Sequence, residues 1–139
     1  MPINRPWAFL ASAMIFAAAL PVHAAEKPVK AVFHVNFDDA ERQKHALKNA
    51  SNVLKDAGAG TELEVVCHGP GIKLLTRESP AADQVAELSK QGVRFVACEN
   101  TMREKNIARD ALLPGVGTVP SGAGEILKRQ MDGYAYFKP

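Results

Sequence analysis

The chain has 139 residues, with 17 Lys+Arg against 15 Asp+Glu, 47% hydrophobic residues and two cysteines. This near-balance of charge excludes a nucleic-acid footprint or a polybasic membrane patch, and two cysteines exclude a disulfide-framework fold. A charged fraction of 23% with ordinary apolar content excludes disorder and leaves one domain able to bury roughly 65% of its unfolded surface.

The first segment differs in kind from the rest. Met1–Ala25 holds a single charge, Arg5, and Trp7 to Leu20 form an uncharged, mostly apolar run of 14 residues. That run is shorter than the ~20 residues a bilayer span needs. Pro21 breaks it, and Val22-His23-Ala24 has small residues where a signal peptidase reads. The pattern predicts a secretory signal over 1–24, cleaved after Ala24, with the working domain over 25–139. The Ala-rich style of the segment points to the periplasm, with no membrane attachment after cleavage.

The body then alternates between two hydrophobic periods. Val29 to Phe37 is β-branched and aromatic and reads as a strand. Asp38, with Glu41 three residues on, offers a capped helix carrying Leu47, Ala50, Leu54 and Ala57 until Gly58 closes it. Glu62 to Cys67 is a second strand, ended by the turn signal His68-Gly69-Pro70-Gly71 and a short apolar piece, Ile72 to Leu75. Ser79-Pro80 starts a helix with Val85 and Leu88 inward, and Gly92 ends it. Val93 to Cys98 is a third strand. Thr101 with Glu104 caps a helix carrying Met102, Ile107, Ala108 and Ala111. A short fourth strand lies around Val116 to Val119, Ser121 caps a last helix running to Gly133, and Tyr134 to Phe137 closes the chain as a fifth strand.

Strands alternating with helices in this way predict a flavodoxin-like three-layer α/β/α sandwich around an open, mostly parallel five-stranded sheet. The expected strand order is 2-1-3-4-5. Ligands of such sheets bind outside the carboxyl ends of the strands, so chemistry is sought there.

Those ends carry His34 and Asn36, then Cys67 and His68, then Cys98, Glu99 and Asn100. Cys98 lies where a strand meets a helix start, and unpaired N–H groups at such a point favour a thiolate. With strand 1 between strands 2 and 3, Cys67 and Cys98 would be two spacings apart, roughly 9–10 Å. A disulfide needs Cα atoms within about 7 Å, so no intrachain bridge is expected. Adjacent Cys67 and His68 would point to opposite faces of the sheet. Cys67, His68, Cys98 and His34 together are a conceivable nitrogen and sulfur set for copper or zinc, but no CxxC, HxxxH or HExxH spacing supports it. The glycines of 115–124 lack the Lys-Ser/Thr of a phosphate loop, and no GxSxG is present for a serine hydrolase.

In its strand-end cysteine and its tail the chain resembles the DsrE/DsrF-like family of sulfur-relay proteins. The matching residues run from Gly92-Val93-Arg94-Phe95-Val96-Ala97-Cys98 through Leu113-Pro114-Gly115-Val116 to Val119-Pro120-Ser121-Gly122. They continue at Glu125-Ile126-Leu127 and Gly133-Tyr134-Ala135-Tyr136, and Cys67-His68-Gly69 also fits. The likeness covers nearly all of 29–139. It implies a homo-oligomer, trimer or hexamer, of small α/β/α subunits, with Cys98 carrying sulfane sulfur as a persulfide between donor and acceptor proteins or small sulfur compounds. Such a protein is a carrier more than a turnover enzyme and calls for no cofactor. Cys67, His68 and Asn100 are the candidates for stabilising the leaving group. The other readings are an oligomeric binding module with buried cysteines, packed through Leu112–Gly124, and the soft-metal site.

Overall fold

The computed structural model describes residues 27–139; the segment read as a secretory signal lies outside them. Five strands form one open parallel sheet in the order β4-β3-β2-β1-β5: β1 (Lys30–Val35), β2 (Glu62–Cys67), β3 (Arg94–Cys98), β4 (Gly117–Val119) and β5 (Ala135–Phe137). Four α-helices connect them: α1 (Ala40–Asp56), α2 (Ala82–Lys90), α3 (Glu99–Glu104) and α4 (Gly122–Met131). The architecture is the expected flavodoxin-like α/β/α sandwich.

The strand order is not the expected 2-1-3-4-5. β2, not β1, is the strand beside β3, with Cys67 opposite Val35 on one side and Ala97 on the other. Both orders bury the same apolar strands, so alternation along the chain cannot choose between them. In the observed order every step from β1 to β4 goes the same way along the sheet. Right-handed crossovers then put α1, α2 and α3 on one face. The return to β5, beside β1 at the other edge, carries α4 to the opposite face.

The packing agrees with this layering. One core gathers Phe33, Val35, Val65, Cys67, Phe95 and Ala97 from one side of the strands with Leu47, Leu88 and Met102 from the three helices. The second, smaller core holds Val32, Val66, Val96 and Val119 under Ile126 of α4 and Tyr134. Strands covered on both sides read as nearly continuous apolar runs, as Leu63–Cys67 does. The inward side of α1 carries Gln43, Ala46, Leu47 and Ala50, and the buried Gln43 amide donates to the Phe37 carbonyl at 2.7 Å. The N-cap is Asp39 rather than Asp38, accepting from the Arg42 N–H at 2.7 Å.

Two connections differ from expectation. Ile72–Leu75 belongs to a 3-10 helix, Gly69–Leu75, wedged into the core. Its Gly71 lies so close to the end of β1 that a Cβ there would stand 2.2 Å from the Val35 carbonyl oxygen. The helix expected from Thr101 to Ala111 starts earlier, at Glu99, and stops at Glu104; Asn106 turns at positive φ and a separate 3-10 turn covers Arg109–Ala111. Thr101 is therefore inside α3, and its hydroxyl oxygen accepts from the Gly69 N–H at 2.9 Å. That bond ties the start of α3 to the loop after β2.

A buried ion cluster pins α4 to the sheet. Glu64 of β2 is 1% exposed and meets Arg129 at 2.9 Å and Arg94 at 3.1 Å, while Arg129 also meets Glu125 one turn back at 2.9 Å. The position of α4 matters because its N-terminus reaches the carboxyl rim of the sheet.

Candidate functional site

Side chains alternate across a strand, so every second residue shares a face. Val32, Val66 and Val96 line the α4 face. Two residues further on, at the carboxyl rim, the same parity brings out His34, His68 and Cys98. Cys67 has the other parity and is fully buried in the core under α1–α3. The two cysteines are both free, as expected, but for a different reason. They sit on adjacent strands and project to opposite sides of the sheet.

Gly122, the first residue of α4, joins these parts. A Cβ at this position would lie 2.9 Å from His68 Cβ, 3.2 Å from His68 Cδ2 and 3.3 Å from Cys98 Cβ. Only glycine lets the helix start settle directly on both side chains. Ser121 caps the helix, its hydroxyl oxygen accepting from the Gly124 N–H at 3.2 Å, and leaves the Gly122 N–H facing Cys98.

Cys98 occupies the N-cap position of α3 and is 4% exposed. Burial pushes its thiol up. The N–H groups of Thr101 and Gly122 and the Thr101 hydroxyl outweigh this, and the net effect holds the thiol below its ordinary value. Two helix starts, from different parts of the chain, thus stabilise one sulfur anion. Cys67 has no such donors, and burial pushes its thiol far up. The structure separates it from the other predicted site residues. Asn100 donates its backbone N–H to the Pro120 carbonyl at 3.3 Å, and its side-chain oxygen accepts from Arg103.

Beside the thiol lies a chain of polar rings. His34 Nε2 and His68 Nε2 are 2.6 Å apart with the ring planes within 21° of parallel, and His34 Nδ1 is 2.8 Å from the Tyr136 hydroxyl. Burial, the Lys138 ammonium and then His68 hold His34 down to about 4; burial and Lys138 also lower His68. Both rings are therefore neutral near pH 7. Among the described residues no group of three or more His, Cys, Asp and Glu side chains is arranged to hold a metal ion. Nor does any described helix have the length and apolarity to cross a membrane.

The sequence places His34, His68 and Cys98 at strand ends, as the structure does, but does not single out Gly122, Thr101 or Tyr136 beside them. The shared parity of positions 34, 68 and 98 was a usable signal for the histidine pair. Tyr136 had none, because its partner lies 102 residues away.

A family model described as DsrE/DsrF-like family matches residues 28–139. Seven chains of solved structures match as well. One, from Methanobacterium thermoautotrophicum and described as the protein of unknown function MTH1491, is 40% identical with a TM-score of 0.77. The match covers 80% of this chain and 99% of that one. No curated protein matches.

Proposed function

Since the chain belongs to the DsrE/DsrF-like family, which points to a sulfur-relay kind of function, we propose that it is an exported sulfur carrier working through a persulfide on Cys98. The observation that carries this reading is the meeting of two helix starts at the one rim cysteine, Cys98 as N-cap of α3 and Gly122 of α4 packed against its Cβ, with the Thr101 and Gly122 N–H groups favouring its thiolate. A carrier needs a thiolate at working pH, since the thiolate is the nucleophile. In loading, the Cys98 thiolate attacks the outer sulfur of a donor R–S–SH. The Sγ–S bond forms, the donor's S–S bond breaks, and the electron pair leaves on R–S⁻. In discharge, an acceptor thiolate attacks the same outer sulfur and Cys98 leaves as thiolate. The helix-start N–H groups that hold the resting anion also receive it as the leaving group.

Two further parts belong to the proposal. Export rests on the Arg5-led apolar run and the Ala24 cleavage point, and N-terminal sequencing of protein from a periplasmic fraction tests it. Assembly into a trimer or hexamer is supported by Leu127, 62% exposed, and Met131, 87% exposed, on the outer side of α4. These lie just beyond the Leu112–Gly124 stretch, whose Leu112, Val116 and Val119 are used in the subunit's own core.

The test of the carrier reading is incubation with a persulfide donor followed by intact mass spectrometry. We expect a mass gain of one sulfur atom, reversed by a thiol acceptor and lost in Cys98→Ser. A gain that survives Cys98→Ser, or no gain in the native protein, refutes it.

A further inference from the structure

Loading by an alkyl persulfide sets free an alkyl thiolate, a poor leaving group unless it is protonated. Discharge to a thiol acceptor has the opposite need, because the acceptor must lose a proton to attack. A carrier gains from a group beside the sulfur that gives one proton in the first half-reaction and takes one back in the second. Cys98 is 4% exposed, so bulk water is poorly placed for either task.

We propose that Tyr136, His34 and His68 form a proton relay between solvent and the sulfur at Cys98. This rests on the carrier reading and adds three residues to it. Tyr136 is 45% exposed at the sheet edge, and its hydroxyl is 2.8 Å from His34 Nδ1. His34 Nε2 is 2.6 Å from His68 Nε2. His68 Cβ and Cδ2 and Cys98 Cβ all lie within 3.3 Å of one point, the Cβ position of Gly122, which makes His68 and Cys98 neighbours at the rim. β5 lies next to β1, which puts Tyr136 on the same face as Val32 and, two residues on, His34.

The hydrogen bonds permit two complementary arrangements of neutral rings. In the first, the Tyr136 hydroxyl donates to His34 Nδ1 and His34 Nε2–H donates to His68 Nε2, leaving the second proton of the pair on His68 Nδ1. In loading, R–S⁻ takes the His68 Nδ1 proton and leaves as R–SH. His68 Nε2 takes the proton of His34 Nε2, His34 Nδ1 takes that of Tyr136, and Tyr136 regains one from water. The rings are then in the second arrangement, with His68 Nδ1 bare. In discharge that nitrogen accepts the proton of the acceptor thiol, every transfer reverses, and Tyr136 returns a proton to water. One cycle moves one sulfur, consumes and returns one proton, and restores the starting arrangement. The low basicity of both rings keeps them in these neutral forms rather than trapping a cation.

The relay is tested by comparing two reactions of Cys98 in the full chain. Alkylation by iodoacetamide expels iodide and requires no proton, whereas loading from cysteine persulfide expels an alkyl thiolate. Tyr136→Phe and His34→Gln are expected to slow loading about 10-fold or more, as befits loss of general acid help, with alkylation within about twofold of native. A native solvent deuterium effect on loading should also disappear in both variants. Loading at the native rate in Tyr136→Phe, or equal slowing of both reactions, overturns the relay while the carrier reading stands. Alkylation without any loading in the native protein overturns the carrier reading itself.

Discussion

Replacing Gly122 by alanine probes the joint between α4 and the rim. The new Cβ would stand 2.9 Å from His68 Cβ, 3.2 Å from His68 Cδ2 and 3.3 Å from Cys98 Cβ, against about 3.5–4.0 Å for an ordinary carbon contact. None of these neighbours is the free end of a flexible chain. His68 is held at its backbone, its N–H donating to the Val35 carbonyl at 3.2 Å, and Cys98 ends a central strand. The first turn of α4 must therefore retreat by some tenths of an ångström. Overpacking of this kind costs about 1–3 kcal/mol, and the gain in helix propensity from Gly to Ala offsets less than about 1 kcal/mol of it. A net loss of about 1–2 kcal/mol should appear as a lower urea midpoint.

The second effect is chemical. The Gly122 N–H retreats with the helix from the Cys98 sulfur that it stabilises. A hydrogen bond to a charged group is worth about 1.5–3 kcal/mol, and losing about half of one raises a thiol by roughly one pKa unit. The assay is the rate of Cys98 alkylation by iodoacetamide across pH, with the labelled peptide identified by mass spectrometry. We expect the rise in rate to move upward by about one pH unit. Superimposable native and variant profiles would refute the thiolate argument, and a stabilised variant would refute the close approach.

Other outcomes follow from the same geometry. An unfolded His34 takes its proton near 6.5 and the folded one only near 4, so His34 supports the fold above pH ~6.5 and that support is lost as pH falls toward 4. After allowance for solvent screening we expect a loss of about 1–2 kcal/mol, seen in urea titrations at stepped pH and flattened in His34→Gln. Arg129→Leu leaves Glu64, 1% exposed, with only the 57% exposed Arg94 as partner, and should cost about 3 kcal/mol. The double variant with Glu64→Leu should recover much of that loss in the same denaturation assay; equal losses in single and double variants would contradict the buried-charge account. Met131→Lys together with Leu127→Lys should shift the protein to monomers in sedimentation velocity with its circular dichroism unchanged, since both side chains are exposed in the single subunit.

Much of this molecule is legible one element at a time. The runs Lys30–Val35, Glu62–Cys67 and Arg94–Cys98 announce buried strands, and Ser121 announces a helix start, because burial and capping depend on residues a few positions apart. The same alternation separates Cys67 from His68 and brings out Cys98 at a strand end before a helix. The length of α3 was not legible. Ile107, Ala108 and Ala111 continue the helical spacing, yet the turn at Asn106 ends it, and the Leu113 N–H meets the carbonyl of Leu75, 38 positions back in the chain.

Strand order and the environment of the thiol were decided only in three dimensions. Local pattern is indifferent to whether β1 or β2 is central, since both are covered on both faces in either order. Once β2 lies between β1 and β3, residues 34, 68 and 98 become neighbours at one rim. The return of α4 across the far face then adds the Gly122 N–H to that of Thr101. The sequence by itself determined that a cysteine would stand at a strand end. Only the tertiary structure decided which way its ionisation is pushed, below the ordinary thiol value, because that depends on a sum of burial and dipoles from segments distant in the chain.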